Sequence, residues 1–379
     1  MDDIALHAHL IGQQGGRASL NTPALILDHD ALTTNIARMA AFAKANGLAL
    51  RPHAKTHKSG AIARLQIDSG AVGVCCAKIG EAEALADESG IDSILITSPV
   101  VAPHAIARVI ALHRRLGDLR VVIDHPDNAA ALAAAAKDEP RPLKVLIDVD
   151  PGLRRTGVAN AAAAVALAQA IRASSALSYL GVQFYCGREQ HIADFQERRA
   201  AVAKRFDALR IVLDALAAIG APAQIVTGGG TGTHEIDAAL GVLTELQAGS
   251  YIFMDRQYLE CALREDGALP FDTALFVDAH IVSANTPGMA TLDAGFKAFA
   301  TDGPTPHVHS GAPEGAEFVF MGDEHGAVRA PGAQFRLAEI VTLTAPHCDP
   351  TVNLYDYYHV VRGDTLIRIW PISARGRSR

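Results

Sequence analysis

The sequence predicts an α/β fold, a (β/α)8 barrel of the TIM type followed by an antiparallel β domain. The chain has 379 residues, which exceeds the ~250 residues of a typical barrel and leaves about 130 residues for a second unit. Nine short apolar runs alternate with segments of helical period, which is typical of repeated βα units. From about residue 265 onward, short alternating runs are separated by Gly, Pro, Asn and Asp, which indicates an antiparallel sheet.

The nine apolar runs supply the predicted strands. They lie near residues 24–28, 48–52, 71–76, 92–97, 120–124, 143–149, 178–185, 224–227 and 245–252. A barrel needs eight strands, so we assign the first run to the entry of the chain and start the barrel at about residue 48. Periodicity does not show whether a sheet closes, so an open doubly wound sheet remains the alternative.

The predicted helices fill the segments between these runs. The first begins with Asp30 as its cap and carries an apolar stripe of Leu32, Ile36, Met39 and Ala43. Further helices are predicted over about 103–116, 126–138, 160–174 and 190–219. Each of them lies between two consecutive strands, as a barrel of βα units requires.

Composition and charge limit the classes of function. Hydrophobic residues make up 49% and charged residues 20% of the chain, the balance of a soluble globular enzyme. The net charge is -7 and no basic run is long enough to follow a phosphate backbone, so we expect no nucleic-acid partner. No apolar stretch reaches ~18 residues and the amino terminus lacks a signal-peptide pattern, which predicts a cytoplasmic protein without a membrane partner. Five cysteines without a CxxC pair argue against a disulfide framework or a four-cysteine zinc site.

The segment RPHAKTHKS at 51–59 follows the first predicted barrel strand. Active sites of barrels lie at the carboxyl ends of their strands, so Lys55 is a candidate functional residue. Flanked by His53 and His57, this lysine is placed to lose its proton and form a Schiff base with a carbonyl compound. A solvated basic loop is the simpler interpretation.

The segment VTGGGTGTH at 226–234 is the second candidate. Consecutive glycines allow backbone N–H groups to converge on an anion, and Thr227, Thr231 and Thr233 add hydroxyl donors. The pattern is not a dinucleotide fingerprint, because position 233 is Thr, and it lacks the Gly-Lys ending of a Walker loop. A phosphate site is predicted here, completed by the turn at 248–251, unless these are only flexible turns.

The segment PHCDP at 346–350 is the third candidate. In an extended chain, His347 and Asp349 point the same way and present one nitrogen and one oxygen, while Cys348 points away. Such a pair suits Mn²⁺ or Mg²⁺ with remaining water ligands. An Asp–His hydrogen bond in a turn is the alternative.

Two further groups follow predicted barrel strands. Arg155, in DPGLRRTG, could aim at a cofactor ring or a substrate carboxylate, unless it forms only a surface pair with an aspartate. Alternation places Gln183 and Tyr185 on one face of their strand, so that Tyr185 could contact a flat ring while His191 reaches a substrate hydroxyl as a base. A core tyrosine and a histidine at a helix start are the alternative.

Nine motifs are spread over almost the whole chain. They are RPHAKTHKS at 51–59, GVCCAKIGEAEAL at 73–85, DPGLRRTG at 150–157, GVQFYCGREQH at 181–191, VTGGGTG at 226–232, ELQAGSYIFMD at 245–255, DAGFKA at 293–298, DEHG at 323–326 and PHCDPTVNLYD at 346–356. In this order they resemble the fold-type III pyridoxal-phosphate enzymes, specifically the D-threonine aldolase and D-serine dehydratase branch related to alanine racemase.

The resemblance implies a domain organisation and a partner. It implies an N-terminal segment (1–30) that associates with the β domain, a pyridoxal-phosphate barrel (31–264) and a C-terminal β domain with the metal ligands (265–379). It also implies a homodimer whose active sites form between the barrel of one subunit and the β domain of the other.

The resemblance further implies roles for individual residues. Lys55 becomes the Schiff-base lysine, and His347 with Asp349 become the metal pair. Cofactor contacts fall on Lys55, Arg155, Gln183, Tyr185, Thr227, Gly229, Gly230, Thr231, Gly249, Ser250 and Tyr251. The dehydratases look different at the metal site, with cysteine where this chain has Asp349. Thr56, however, is closer to the dehydratase spelling, because several aldolases look to carry Met there.

The predicted reaction is retro-aldol cleavage of a D-3-hydroxy amino acid such as D-threonine into glycine and an aldehyde. A divalent ion on the metal pair, Mn²⁺ first with Mg²⁺, Co²⁺ or Zn²⁺ as alternatives, binds the β-hydroxyl and lowers its pKa. His57 or His191 then removes the hydroxyl proton as the base. A D-3-hydroxy amino acid dehydratase (for D-serine or 3-hydroxyaspartate), which yields a keto acid and ammonia, is the second hypothesis, and an aldolase specific for 3-hydroxy-D-aspartate is a further alternative. A racemase has no need for the metal pair, and a non-catalytic cofactor carrier has no need for the β domain.

Overall fold

A computed structural model of the chain describes residues 3–379. Its first strands in chain order are β1 (Ala24–Asp28), β2 (Ala49–Leu50), β3 (Val74–Cys76), β4 (Ser93–Ile96), β5 (Asp118–Ile123), β6 (Leu143–Asp148), β7 (Leu177–Phe184), β8 (Ile225–Gly228) and β9 (Glu245–Leu246). Every one of the nine predicted runs is confirmed as a strand.

Strands β2 to β9 form a parallel sheet in the order β2-β9-β8-β7-β6-β5-β4-β3, which gives the described chain its eight barrel strands. The sheet closes just beyond β2, where His53 pairs with Cys75 of β3 and the Cys75 N–H donates to the Pro52 carbonyl at 2.8 Å. The predicted barrel is therefore confirmed, and the open sheet is excluded because its two edges bond to each other.

The helices of this part are α1 (Asp3–His7), α2 (His29–Ala45), α3 (Gly60–Asp68), α4 (Ile79–Ser89), α5 (Pro103–Arg115), α6 (Pro126–Ala136), α7 (Ala161–Arg172), α8 (Phe195–Ala218), α9 (His234–Leu240) and α10 (Arg256–Leu259). Two predicted starts need correction. The cap of α2 is Asp28 rather than Asp30, because the Asp28 carboxylate accepts the N–H groups of Asp30 and Ala31. Helix α8 begins at Phe195, and the predicted start near 190 is a separate 3-10 turn over Glu189–His191.

The barrel interior combines a small apolar layer with a buried ion pair. Val122 and Leu146 are fully buried there in one cluster with Cys75. Arg51 is also fully buried, with its Nε 3.1 Å from a Glu245 carboxylate oxygen. Apolar and paired polar side chains thus fill the barrel, which leaves its carboxyl-end rim as the place for a site.

The β domain begins after the barrel. Its elements are β10 (Leu275–Thr286), β11 (Met289–Leu292), β12 (His307–Ser310), β13 (Glu317–Phe320), β14 (Gly326–Arg329), β15 (Ile340–Thr344), α11 (Cys348–Val352), β16 (Tyr357–Arg362) and β17 (Thr365–Pro371). The predicted antiparallel pairing is confirmed for β10 with β11 and β15, and for β16 with β17. Strand β1 lies in this second sheet between β10 and β16, antiparallel to the former and parallel to the latter. None of the helices described over 3–379 is long and apolar enough to cross a membrane.

Candidate active site

A cavity of about 540 Å³ opens at the carboxyl-end rim of the barrel, and we call it the rim cavity. It is lined by His53, Lys55, Thr56, Ala77, Lys78, Thr97, Ser98, Pro99, Val101, Asp124, Arg155, Thr156, Gln183, Tyr185, Gly230, Thr231, Gln247, Gly249, Ser250 and Tyr258. The structure therefore brings together eight residues that the sequence predicts for the site, namely Lys55, Arg155, Gln183, Tyr185, Gly230, Thr231, Gly249 and Ser250.

Lys55 forms an ion pair with Asp349 in the rim cavity. The two residues lie 294 positions apart in the chain, one on a 3-10 turn after β2 and the other on α11. Burial favours the neutral form of the lysine, but the Asp349 carboxylate outweighs burial and holds the pKa of Lys55 above its usual value. Burial likewise opposes ionisation of Asp349, yet the charges of Lys55 and His347 hold its pKa below the usual range.

The two histidines beside Lys55 occupy different environments. His53 lines the cavity, and its Nε2 lies 3.1 Å from the Thr97 hydroxyl. His57 lies behind the cavity wall, fully buried, where its Nδ1 accepts the Ser59 N–H at 3.1 Å. Burial lowers the pKa of each imidazole to about 3, so both rings are neutral.

Two glycine turns form one wall of the rim cavity. A Cβ atom on Gly249 would lie 2.7 Å from the Thr56 Oγ1 and 3.0 Å from the His53 carbonyl oxygen. A Cβ atom on Gly230 would lie 2.7 Å from the side-chain Cδ of Gln190. These positions exclude any side chain, so the chain presents its bare backbone to the cavity.

Three other predicted cofactor contacts lie behind these turns. The Thr227 hydroxyl donates to Glu245 at 2.8 Å inside the barrel. The Tyr251 N–H donates to the Thr231 hydroxyl at 2.9 Å, and its ring is fully buried. Gly229 adopts a φ of +71° directly before Gly230. Their placement suits residues that support the turns rather than line the cavity.

Arg155 and Tyr185 form a platform that lines the rim cavity. The Arg155 guanidinium carbon lies 5.8 Å from the centre of the Tyr185 ring. Gln183 donates to the Thr97 carbonyl at 3.0 Å and to the Asp148 carboxylate at 2.9 Å. Burial raises the pKa of Asp148 to about 6, although the Gln183 amide and the Thr156 hydroxyl oppose that rise. The arrangement fits a flat ring that carries a polar atom at its edge.

The predicted metal pair is present, but its backbone differs from the extended segment that the sequence predicts. His347 caps α11, which begins at Cys348, because the Thr351 hydroxyl donates to the His347 carbonyl at 2.7 Å and turns the chain. The buried Asp255 carboxylate accepts the Cys348 N–H at 2.9 Å and fixes the segment at the rim.

The side chains of the pair are arranged for ligation. The His347 Nδ1 lies 2.8 Å from an Asp302 carboxylate oxygen, which leaves the Nε2 of the ring for another partner. The second carboxylate oxygen of Asp349, Oδ1, is buried without a hydrogen-bond partner among the described residues. The two residues thus offer an imidazole nitrogen, oriented by a carboxylate, and an unpartnered carboxylate oxygen. This set of donor atoms fits a divalent ion.

His191 lies beside the same segment. Its ring packs on Tyr258, which lines the rim cavity, with 4.6 Å between the ring centres. Burial and the nearby charges of His347 and Lys55 lower the pKa of His191 to about 4, which keeps the imidazole neutral near pH 7. The residue itself is exposed, so its ring can accept a proton.

A second group of possible ligands, Asp3 and His7 of α1 and His359 of β16, has its ligand atoms within 4.8 Å of one another. The backbone N–H of Asn21 donates to the His7 Nε2 at 3.0 Å. The neutral ring therefore carries its proton on Nδ1, 3.1 Å from the His359 Nε2, which accepts it. This group is a hydrogen-bonded network whose nitrogen lone pairs are already used.

Sequence reasoning missed several site residues. Thr97, Asp124 and Gln247 each follow directly after a barrel strand and line the rim cavity. A search for polar residues at strand ends could have found them. Asp255 and Asp302 belong to loops that carry no such signal.

Comparison with known families defines the class of protein. The family "Alanine racemase, N-terminal domain" matches residues 27–257, and a serine dehydratase domain family matches residues 274–361. The closed barrel with its rim lysine, joined to an antiparallel domain, is thus an alanine racemase-like pyridoxal-phosphate fold with a D-serine dehydratase-like domain.

Individual relatives narrow this class. A 3-hydroxy-D-aspartate aldolase from Paracoccus denitrificans (strain Pd 1222) is 36% identical, covering 95% of this chain and 93% of its own. A D-threonine aldolase from Arthrobacter sp. is 39% identical, covering 96% and 94%. The crystal structure of D-threonine aldolase from Filomicrobium marinum superposes with a TM-score of 0.91 at 37% identity, covering 95% of this chain and 97% of that one. The chain belongs to the family of these D-3-hydroxy amino acid aldolases.

A dehydratase is less similar in sequence to this chain than the two aldolases are. The D-threo-3-hydroxyaspartate dehydratase from Delftia sp. (strain HT23) is 29% identical, covering 93% of this chain and 97% of its own. The resemblance inferred from the motifs is confirmed, and the aldolase interpretation is favoured over the dehydratase one.

Proposed function

We propose that the protein is a pyridoxal-phosphate-dependent and divalent-metal-dependent aldehyde-lyase that cleaves D-3-hydroxy amino acids to glycine and an aldehyde. The observation that carries the proposal is the contact between Lys55 and Asp349. It joins the lysine of the barrel rim to the acidic ligand candidate of the β domain, so that the proposed cofactor site and the proposed metal site adjoin each other.

The residues of the rim cavity fit pyridoxal phosphate. Lys55 supplies the amine that takes the cofactor aldehyde, and the bare turns at Gly230 and Gly249 admit the phosphate. Arg155 and Tyr185 form the platform for the ring. When bound, pyridoxal phosphate accepts the electrons released at the substrate Cα.

The residues at the mouth fit a divalent ion, and we propose Mn²⁺. His347 and Asp349 offer one imidazole nitrogen and one carboxylate oxygen, which suit this borderline-hard ion. A bound ion of this kind lowers the pKa of a hydroxyl that it contacts.

His191 is the base that we favour for the β-hydroxyl proton. Its imidazole is neutral and exposed at the mouth, next to His347. His57 remains the other candidate from the sequence, but its ring lies behind the cavity wall, fully buried. Proton transfer needs hydrogen-bond reach to the substrate, which His191 has the better position to provide.

We further propose a homodimer, as the resemblance to the family implies, but with the lysine and the metal pair supplied by one subunit, because Lys55 contacts Asp349 of its own chain. Val101 lines the rim cavity and is 63% exposed in the single chain. An apolar side chain at the mouth of a polar cavity is a natural contact for a second subunit. Sedimentation equilibrium gives the mass, and a monomer at micromolar concentration contradicts this proposal.

One assay tests the reaction. The protein is incubated with D-threonine, pyridoxal phosphate and Mn²⁺, and glycine, acetaldehyde, keto acid and ammonia are measured together. We expect glycine and aldehyde in equal amounts, with loss of activity after exhaustive chelation and recovery with Mn²⁺. Formation of keto acid and ammonia instead identifies a dehydratase, the second hypothesis, which Thr56 supports. Full activity in the chelated protein removes the metal from the mechanism.

A further inference from the structure

A second cavity of about 750 Å³ adjoins the rim cavity. We call it the basic cavity, and the two share a wall made of Ala77, Lys78, Ser98, Pro99 and Val101. The cationic side chains that line it come from α4, α5 and the C-terminal segment, namely Lys78, Arg108, Arg375, Arg377 and Arg379, against the carboxylate of Glu83. A substrate held in the rim cavity therefore faces a region of positive charge beyond the shared wall.

Two arginines that line the basic cavity and one carboxylate that lines the rim cavity already have partners. Arg108 contacts Glu83 at 2.6 Å, and Arg375 contacts Asp356 at 2.7 Å. The Asp124 carboxylate of the rim cavity accepts the Gly157 N–H at 3.0 Å. Of the described residues in the shared wall, Lys78 carries the cationic side chain, and residues 3–379 offer it no carboxylate within ion-pair distance.

The position of Lys78 is fixed although its side chain is exposed. It caps the start of α4, where the Glu81 carboxylate accepts the N–H groups of Ala77 at 2.8 Å and Lys78 at 3.3 Å. Glu81 is itself tied to Lys58. The backbone thus presents the ammonium group of Lys78 to both cavities without a competing partner.

Other arginines near the predicted site motifs do not compete for this role. Arg154 and Arg188 do not line the rim cavity, and Arg256 pairs with Glu260 at 2.6 Å. Arg155 lies over Tyr185 on the platform of the rim cavity. Among the described lining residues, Lys78 is therefore the cation common to both cavities.

We propose that Lys78 and the basic cavity bind a second carboxylate of the substrate, and that the preferred substrate is an acidic D-3-hydroxy amino acid such as 3-hydroxy-D-aspartate. This inference rests on the proposed aldolase function. A distal carboxylate gains a charge-assisted hydrogen bond from an ammonium group, whereas the methyl group of D-threonine gains nothing from it. The positive charge of the basic cavity also attracts the anionic substrate during its approach.

The test compares kcat/KM for 3-hydroxy-D-aspartate and D-threonine in the wild type, Lys78→Met, Lys78→Arg and a control, Lys137→Met. Lys137 is an exposed lysine that lines neither cavity. We expect Lys78→Met to lower the ratio of kcat/KM for 3-hydroxy-D-aspartate to kcat/KM for D-threonine about fivefold, mainly through KM, because an exposed charge pair contributes on the order of 1 kcal/mol. Lys78→Arg restores most of the ratio, and the control leaves it unchanged.

The salt dependence supplies a second readout. Added NaCl should lower kcat/KM for 3-hydroxy-D-aspartate in the wild type more than in Lys78→Met, because salt screens the attraction. The inference is overturned if Lys78→Met leaves the ratio of the two kcat/KM values unchanged or lowers kcat/KM equally for both substrates. Lys78 then does not bind the second carboxylate. Cleavage of D-threonine without cleavage of 3-hydroxy-D-aspartate overturns it as well, while the aldolase function stands. Failure to cleave either substrate refutes the proposed function itself.

Discussion

Removal of the Asp302 carboxylate should weaken metal binding without touching a ligand. Asp302 lies 2.8 Å from the Nδ1 of His347 and so sets which ring nitrogen carries the proton and which is left to bind an ion. Carboxylates that orient a ligating histidine typically contribute 10–100-fold to metal affinity. The Asp302 side chain is 53% exposed, so water can replace part of its effect. We therefore expect the lower end, about tenfold or ~1.4 kcal/mol, for Asp302→Ala.

The assay follows the electron paramagnetic resonance signal of free Mn²⁺ during titration of the protein, which needs no catalytic turnover. Asp302→Asn is the matched control, because its amide oxygen still accepts a hydrogen bond from the His347 ring. It should lose less affinity than Asp302→Ala, whereas Asp349→Ala, which removes a proposed ligand, should lose more. Wild-type affinity in Asp302→Ala, or equal affinity in all three variants, refutes the reasoning.

Three further predictions follow from the site. Lys55→Ala should abolish both the activity and the cofactor absorbance band near the visible range, and an active variant contradicts the role of this lysine. Gly249→Ala should weaken pyridoxal-phosphate binding about 10–100-fold in a spectroscopic titration, because its Cβ atom would lie 2.7 Å from the Thr56 hydroxyl and displace a turn that we propose to bind the phosphate. Asp148 has a folded pKa raised from 3.8 to about 6, so the folded state retains its proton more strongly than the unfolded chain. The free energy of unfolding of the wild type should therefore fall relative to that of Asp148→Asn as the pH rises from 4 to 7, by at most ~3 kcal/mol. Urea unfolding at several pH values measures this difference, and parallel pH profiles of the two proteins contradict the expectation.

Local sequence patterns were sufficient for the elements of the fold. The strand predicted at 24–28 is β1 to the residue, and the helix predicted at 103–116 ends within one residue of α5. Hydrophobic period reports which face of an element is buried, and that information is local. Errors arose where two local signals compete, as at the start of α2, where Asp28 and Asp30 are both acceptable caps.

The sequence motifs predicted the residues of the proposed cofactor site for a similar reason. Lys55, Gly230 and Gly249 follow barrel strands, and all strands of a parallel barrel end at one rim. Residues after a strand end therefore meet, even when the chain between them is long. The same rule does not say which side chains reach the substrate, so the sequence left His57 and His191 as equal candidates for the base.

The sequence by itself determined the barrel, the antiparallel domain, the lysine and the glycine turns, because each depends on a repeat or motif of a few residues. Tertiary structure alone decided that Asp349 meets Lys55 within one chain and that Lys78 stands between two cavities. These facts depend on how whole elements pack against one another. Packing is set by the sum of many weak contacts between distant parts of the chain, and no short segment encodes that sum.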